Sequence, residues 1–109
     1  MTSESARAGD DREASPALRR AVRSYLDHLT VERGLAVNTL ASYRRDLDRY
    51  LATLAALGVD DLAAVLPGHV AQHVSELRSG GSGHPPLAAP SAARAASAVR
   101  GLHRFAVRE

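Results

Sequence analysis

The sequence predicts an all-α protein, a compact bundle of four main helices preceded by a disordered N-terminal tail. Apolar residues recur at helical spacing in four segments, and residues that favour helix starts and ends flank those segments. No segment shows the alternation of apolar and polar residues that is typical of a strand. The length of 109 residues suits one domain with a modest core. We therefore expect a tail over residues 1–15 and one helical domain over residues 16–109.

The first helix is predicted over about residues 16–33. Ser15 and Pro16 form a typical start, in which a capping hydroxyl precedes a proline at the first helical position. Gly34 can close the helix, and we expect Leu35 and Val37 to pack inward as the chain turns. Residues 1–14 mix small and acidic residues without periodicity, which indicates disorder. The apolar face comprises Leu18, Val22, Tyr25, Leu26 and Leu29.

The second helix, over about residues 39–57, has distinct apolar and basic faces. Asn38 is a suitable N-cap because its side-chain oxygen can accept an amide hydrogen of the first turn. Gly58 can take the left-handed conformation that ends a helix. The apolar face comprises Leu40, Tyr43, Leu47, Tyr50, Leu51 and Leu54. The far side carries Ser42, Arg45 and Arg49, with Arg44 at its flank.

A third helix is predicted over about residues 67–78, after a connection at Asp60–Leu62 that has room for one helical turn. Pro67 and Gly68 start this helix, and its inner face comprises Val70, Val74 and Leu77. The next segment, Ser79–Pro90, contains three glycines and three prolines, so it cannot be regular structure. We expect a flexible surface loop there, with Leu87 tucked back onto the bundle.

The fourth helix, over about residues 90–107, presents a slim apolar stripe to the bundle. That stripe comprises Ala92, Ala95, Ala96, Val99, Leu102 and Ala106. The opposite side comprises Arg94, Ser97, Gly101, Arg104 and Arg108, with Arg100 at its edge. Phe105 lies towards the polar side of the helix, where packing into the core does not account for an aromatic residue.

The composition excludes several classes of protein. The chain has no cysteine, which rules out disulfides and thiolate metal sites. No apolar run approaches the roughly 20 residues that cross a bilayer, and the N-terminus lacks the pattern of a signal peptide. We therefore expect a cytoplasmic protein with no membrane partner, no cofactor and no small-molecule substrate.

Catalytic and metal-binding residues are not indicated either. Three tyrosines, Tyr25, Tyr43 and Tyr50, fall on apolar helix faces. We predict that they are core residues whose hydroxyls reach solvent. The chain contains no lysine, and we expect it not to be an enzyme. His69 and His73 lie four residues apart, a spacing that can hold a metal, but the nearby sequence suggests no third ligand. We expect both histidines on the solvated surface.

Two blocks of sequence resemble the N-terminal core-binding domain of tyrosine recombinases. The first reads L-x-x-E-R-G-L at Leu29–Leu35, followed by N-T-L-x-S-Y-R-R-D-L at Asn38–Leu47. The second reads S-A-A-R-A-A-S-A-V-R-G-L-H-R-F at Ser91–Phe105. Both occur in the order and separation of the family, and the resemblance covers about residues 16–109. Within the family, the residues of these two blocks most resemble those of the bacterial XerD branch.

The resemblance implies a DNA-binding domain whose second and fourth helices lie in the major groove of a recombination half-site. The catalytic Arg, Lys, His and Tyr of the family belong to a C-terminal domain that we expect this chain to lack. Carried onto matching positions, the DNA-binding residues would be Thr39, Ser42, Tyr43, Arg44 and Arg45, and on the fourth helix Arg94, Ser97, Arg100 and Arg104. Because Tyr43 falls on the apolar face, its contact would be made at most through the hydroxyl.

The resemblance also implies the partners of a full-length protein. These are double-stranded DNA with a dif-like site, XerC-like sister subunits in a tetramer, and the translocase FtsK, which together resolve chromosome dimers.

The arginines support this interpretation without requiring it. All 14 basic residues are arginine, which GC-rich codon usage explains, although arginine also suits contacts to phosphate and guanine. On a single helix they would be read as an ordinary solvated face, whereas two basic faces inside the matching blocks favour DNA.

Two alternatives stay open. A helical protein-interaction module without DNA binding would expose an apolar groove, and a small intact enzyme would need a catalytic constellation.

Overall fold

Four helices dominate a computed structural model that describes residues 13–80 and 84–108. Helix α1 spans Pro16–Glu32, α2 spans Val37–Ala56, α3 spans Pro67–Ser79 and α4 spans Ala89–Arg108, with a 3-10 turn at Leu62–Ala64. All four predicted helices are present with small shifts at their ends, which confirms the all-α fold class. Within the described ranges, none of the helices combines the length and apolarity needed to cross a membrane.

The predicted disordered tail lies outside the described ranges except for residues 13–15, whereas the predicted loop Ser79–Pro90 lies outside them only in part. The prediction that this segment forms no regular structure is wrong at its two ends, because Ser79 belongs to α3 and Ala89 and Pro90 belong to α4. The predicted tail includes residues 1–12, and the predicted flexible loop includes residues 81–83. The described end of that loop contains Leu87, whose amide donates a hydrogen bond of 2.8 Å to the Leu77 carbonyl. Leu87 packs against Leu77, Ala92 and Ala95. The prediction that Leu87 returns to the bundle is therefore confirmed.

The predicted cap of α1 is confirmed and has a second partner. The Leu18 amide donates to the Ser15 hydroxyl oxygen at 3.1 Å, which satisfies a free donor of the first turn. The same hydroxyl donates to the Asp60 carbonyl at 2.6 Å. The Asp61 carboxylate in turn accepts from the Ala63 amide at 2.9 Å and caps the 3-10 turn. Ser15 thus ties the start of α1 to the connection between α2 and α3.

Helix α2 begins earlier than predicted, and its N-cap is Ala36 rather than Asn38. The Ala36 carbonyl already accepts a helical hydrogen bond, so Asn38 lies inside the first turn. The connection between α1 and α2 is short, and Gly34 within it has φ 58°, the left-handed conformation that glycine adopts readily. Leu35 packs against the core as predicted, but Val37 is 80% exposed, so the prediction that it packs inward is wrong.

The main core lies between α1, α2 and α4, with α3 packed on its side. Every residue predicted on the apolar face of α1 is buried, because that face meets both α2 and α4. The core residues of α2 and α4 with the least exposure are Leu47, Tyr50, Leu54, Ala95, Ala98, Val99 and Leu102.

Two residues predicted on the polar side of α4 pack inward instead. Gly101 is buried because Tyr25 lies against it, and a β-carbon there would overlap the Tyr25 hydroxyl oxygen. The ring of Phe105 is centred 5.5 Å from that of Tyr25 and 5.0 Å from that of His28. Helix α4 contacts α1, α2 and α3, so its buried face is wider than the stripe of small residues suggested.

Candidate nucleic-acid interface

The residues predicted to bind DNA lie on α2 and α4, two helices that pack directly against each other. We term these nine residues the α2/α4 surface. Its exposed members are Arg44, Arg45, Ser97, Arg100 and Arg104, and its half-buried members are Thr39, Ser42, Tyr43 and Arg94. Tyr43 interacts electrostatically with Arg94 and with Tyr25, and Tyr25 in turn with Arg104. Tyr43 of α2 therefore lies near Arg94 of α4, and Arg104 of α4 lies near Tyr25 of α1.

Each of the two helices carries an arginine that bonds to a serine one turn before it. Nη2 of Arg45 donates to the Ser42 hydroxyl at 3.3 Å, and Nη2 of Arg100 donates to the Ser97 hydroxyl at 3.4 Å. Both bonds are long and exposed, so they hold the guanidinium groups weakly. An incoming anion can replace either serine at little cost.

Arg94 differs from the other arginines of the surface because its guanidinium already binds a carboxylate. Its Nε donates to Oδ2 of Asp46 at 2.8 Å and its Nη2 donates to Oδ1 at 2.9 Å, which is a bidentate pair. Arg49 adds a bond from Nη1 to Oδ1 at 3.2 Å. The Asp46 side chain is fully buried, whereas 37% of the Arg94 side chain stays exposed. The hydrogen bond to Asp46 raises the pKa of Arg94 above its ordinary value.

Sequence reasoning missed Asp46, although its position carried a signal. Asp46 lies three residues after Tyr43 and four before Tyr50, both of which are on the apolar face of α2. A carboxylate at such a position is costly unless an ion pair or several hydrogen bonds satisfy it. The spacing thus indicated a buried partner, but only the fold identifies that partner as Arg94.

The tyrosines have core environments, as predicted, but the expectation that their hydroxyls reach solvent is wrong for Tyr50. Tyr50 is fully buried, its hydroxyl shares a hydrogen bond of 2.7 Å with Nε2 of His103, and burial raises its pKa to about 12. Burial likewise raises the pKa of Tyr25; nearby Tyr43 adds to this effect, and Arg104 opposes it. Tyr43 is half-buried against the same core. A raised pKa makes a phenol harder to ionise, which is the opposite of what an activated nucleophile needs.

The prediction that both histidines of α3 are solvated is wrong for His73. His73 is 1% exposed, its Nδ1 shares a hydrogen bond of 2.9 Å with the Thr53 hydroxyl, and its ring is centred 5.0 Å from that of Tyr50 in a tilted arrangement. Burial lowers its pKa to about 4. His69 caps α3, since its Nδ1 accepts from the Leu66 amide at 2.9 Å. In the described ranges no three potential metal ligands come together.

A shallow groove runs along the last turns of α4. Its lining mixes valines with two arginines of the α2/α4 surface: Val70, Val99, Arg100, His103, Arg104 and Val107. Val107 is largely exposed at the end of the helix. This groove could not be predicted from the sequence, because Val107 lies beyond the predicted apolar stripe.

Comparison with known proteins identifies the family of the chain. The profile of the family described as phage integrase, N-terminal SAM-like domain, matches residues 22–109. No solved structure matches the chain at a significant level.

Several similar proteins are named tyrosine recombinase XerD. The chain is 56% identical over 90 residues to that of Mycobacterium tuberculosis (81% of this chain, 29% of the relative). It is 53% identical over 95 residues to that of Mycobacterium leprae (85% and 30%). It is 48% identical over 87 residues to that of Corynebacterium glutamicum (80% and 29%). The chain thus spans under a third of the length of these relatives, and it belongs to the family of phage integrase N-terminal SAM-like domains.

Proposed function

We propose that this domain binds duplex DNA through the α2/α4 surface, as the core-binding part of a XerD-like site-specific tyrosine recombinase. The observation that carries the proposal is the exposure of arginines from two adjacent, mutually packed helices. A helix fits the major groove, where arginine can contact phosphates or pair with guanine. The contacting residues would be Thr39, Ser42, Tyr43, Arg44, Arg45, Arg94, Ser97, Arg100 and Arg104.

The hydrogen bonding of the surface supports phosphate contacts. Arg45 and Arg100 are held only by long bonds to serines, so both can turn to a phosphate with their serine hydroxyls beside them. The start of α2 adds a further donor group. Ala36 offers no side-chain cap, so first-turn amides near Thr39 have no side-chain acceptor and can face a phosphate.

The wider role belongs to a full-length protein. That protein would be a recombinase that breaks and rejoins DNA, with its catalytic Arg, Lys, His and Tyr outside this chain, which would itself be no enzyme. The printed name of its relatives, tyrosine recombinase XerD, supports a role in recombination, and we propose that the full-length protein acts in the cytoplasm in DNA integration and chromosome dimer resolution. The partners would then be a dif-like DNA site, XerC-like subunits and FtsK.

Titration of a short fluorescently labelled duplex at several salt concentrations tests the proposal. Binding should weaken with salt, and Arg45→Ala and Arg100→Ala should each lower the log–log slope by about 0.9, the value of one lost phosphate contact. Arg23→Ala, which removes an exposed arginine from α1, is the matched control and should keep the wild-type slope. Wild-type slopes for both test variants would contradict the proposal.

A helical protein-interaction module is the second candidate, and the groove at the end of α4 is the observation that favours it. There the exposed Val107 lies beside Val70 and Val99, although Arg100 and Arg104 flank them. This candidate predicts no salt-dependent binding to the duplex at all. The same titration therefore separates the two functions.

A further inference from the structure

Asp46 is the only fully buried carboxylate in residues 13–80 and 84–108, and it lies directly beneath the α2/α4 surface. Two arginines share it, Arg94 from α4 and Arg49 from its own helix. Burying a charge is costly, and a hydrophobic residue could fill the same space without that cost. The arrangement therefore calls for a reason other than stability.

The geometry leaves one edge of the Arg94 guanidinium available. Asp46 occupies Nε and Nη2, so the Nη1 donors remain for another acceptor, and 37% of the Arg94 side chain is exposed. A free arginine loses considerable rotamer freedom when it closes on a phosphate. Arg94 has already lost that freedom on folding, because the bidentate pair fixes its plane.

We propose that Asp46 is a positioning residue for DNA binding, which holds Arg94 so that its free edge meets a phosphate. The inference rests on the proposed function. The pair also joins α4 to α2 directly through their side chains. The distance between the arginines of α2 and those of α4 is thereby held constant. Asp46 itself touches no DNA and acts only through Arg94.

This role predicts an effect opposite to that of simple electrostatics. Asp46→Asn removes a negative charge, which by itself should tighten binding to a polyanion. Positioning predicts weaker binding, because an asparagine can accept from only one of the two Arg94 donors and releases the side chain. Asp48→Asn is the matched control, since it makes the same change at an exposed position two residues along α2.

The test is a set of titrations of the labelled duplex at several salt concentrations, with folding of each variant checked by circular dichroism at the temperature used. We expect Asp46→Asn to bind about three- to tenfold more weakly, the cost of immobilising one long side chain, with a slope lower by up to about 0.9. Asp48→Asn should bind as tightly as the wild type or more so. Arg94→Lys keeps the charge but cannot form the bidentate pair, so it should behave like Asp46→Asn.

A double-mutant cycle separates positioning from a merely structural role. In an Arg94→Ala background, Asp46→Asn should cause no further loss of binding, because the residue that it positions is gone. An equal loss in both backgrounds would overturn the inference, as would an Asp46→Asn variant that binds as tightly as Asp48→Asn. If the wild-type chain shows no salt-dependent binding, the proposed function fails first and this inference with it.

Discussion

Mild acid should destabilise the domain through His73, whose pKa is lowered by burial from 6.5 to about 4. The unfolded chain takes up this proton near pH 6.5, so between the two values the unfolded state binds more protons than the folded state. The stabilising contribution is therefore complete above about pH 6.5 and is lost as the pH falls towards about 4. Linkage gives a loss of about 2 kcal/mol in the free energy of unfolding between about pH 7 and about pH 5.

The surroundings of His73 account for both the size and the sign of this effect. Burial is the largest cause of the lowered pKa, and His84 and Arg49 act in the same direction, while Glu76 and Asp46 oppose it. His103 is half-buried and burial lowers its pKa as well, so it adds to the loss.

Urea unfolding followed by circular dichroism across this pH range measures the effect. His73→Phe keeps a ring beside Tyr50 but cannot take up a proton, so the pH dependence should shrink to the contribution of His103. His28→Gln leaves His73 in place and should retain the full dependence. If His73→Phe lost stability with falling pH as steeply as the wild type, the buried imidazole would not be the cause.

Three further outcomes are expected. Gly101→Ala should lower the free energy of unfolding by roughly 1–3 kcal/mol through overpacking against Tyr25, and Tyr25→Phe in the same chain should recover part of it in urea melts. Leu47→Ala should cost roughly 2–5 kcal/mol as a truncation in the core, and a cost near zero would mean that α2 faces the wrong way. A suicide DNA substrate should trap no covalent adduct with this chain; an adduct lost on Tyr50→Phe would show that a buried tyrosine reacts.

Features set by neighbouring residues in the sequence could be predicted well. The start of α1 depends on Ser15 and Pro16, and its buried face depends on a spacing that any helix would convert into one stripe. The N-cap of α2 is a local feature that was predicted wrongly. Asn38 has the better capping side chain, but the turn at Gly34 is short enough for Ala36 to become the N-cap and for the helix to start at Val37.

Features set by packing between distant segments could not be read from one helix at a time. Gly101 and Phe105 look polar-facing on α4 alone, and they are partly or fully buried only because α1 crosses there. His73 looks like a surface residue until Thr53 and Tyr50 of α2 cover it.

The residues of the candidate interface also include some whose environment could be predicted from local sequence and one whose environment depends on a distant segment. The exposed arginines of α2 and α4 could be predicted because they lie opposite apolar stripes, and Arg44, Arg45, Arg100 and Arg104 are indeed exposed. Their role in binding DNA stays a prediction. Arg94 could not be distinguished from the others, because its partner lies 48 residues away in the sequence.

The hydrogen bond between Leu87 and Leu77 has a consequence for engineering the chain. It anchors the returning end of the α3–α4 connection on folded structure, so added residues between Gly80 and Leu87 would lengthen a loop whose ends are already fixed. The entropy of closing such a loop changes only with the logarithm of its length, about 0.6 kcal/mol for each doubling. A peptide tag or a fluorophore acceptor sequence placed there should leave the helices and their stability nearly intact, which makes this connection a suitable attachment point for reporters.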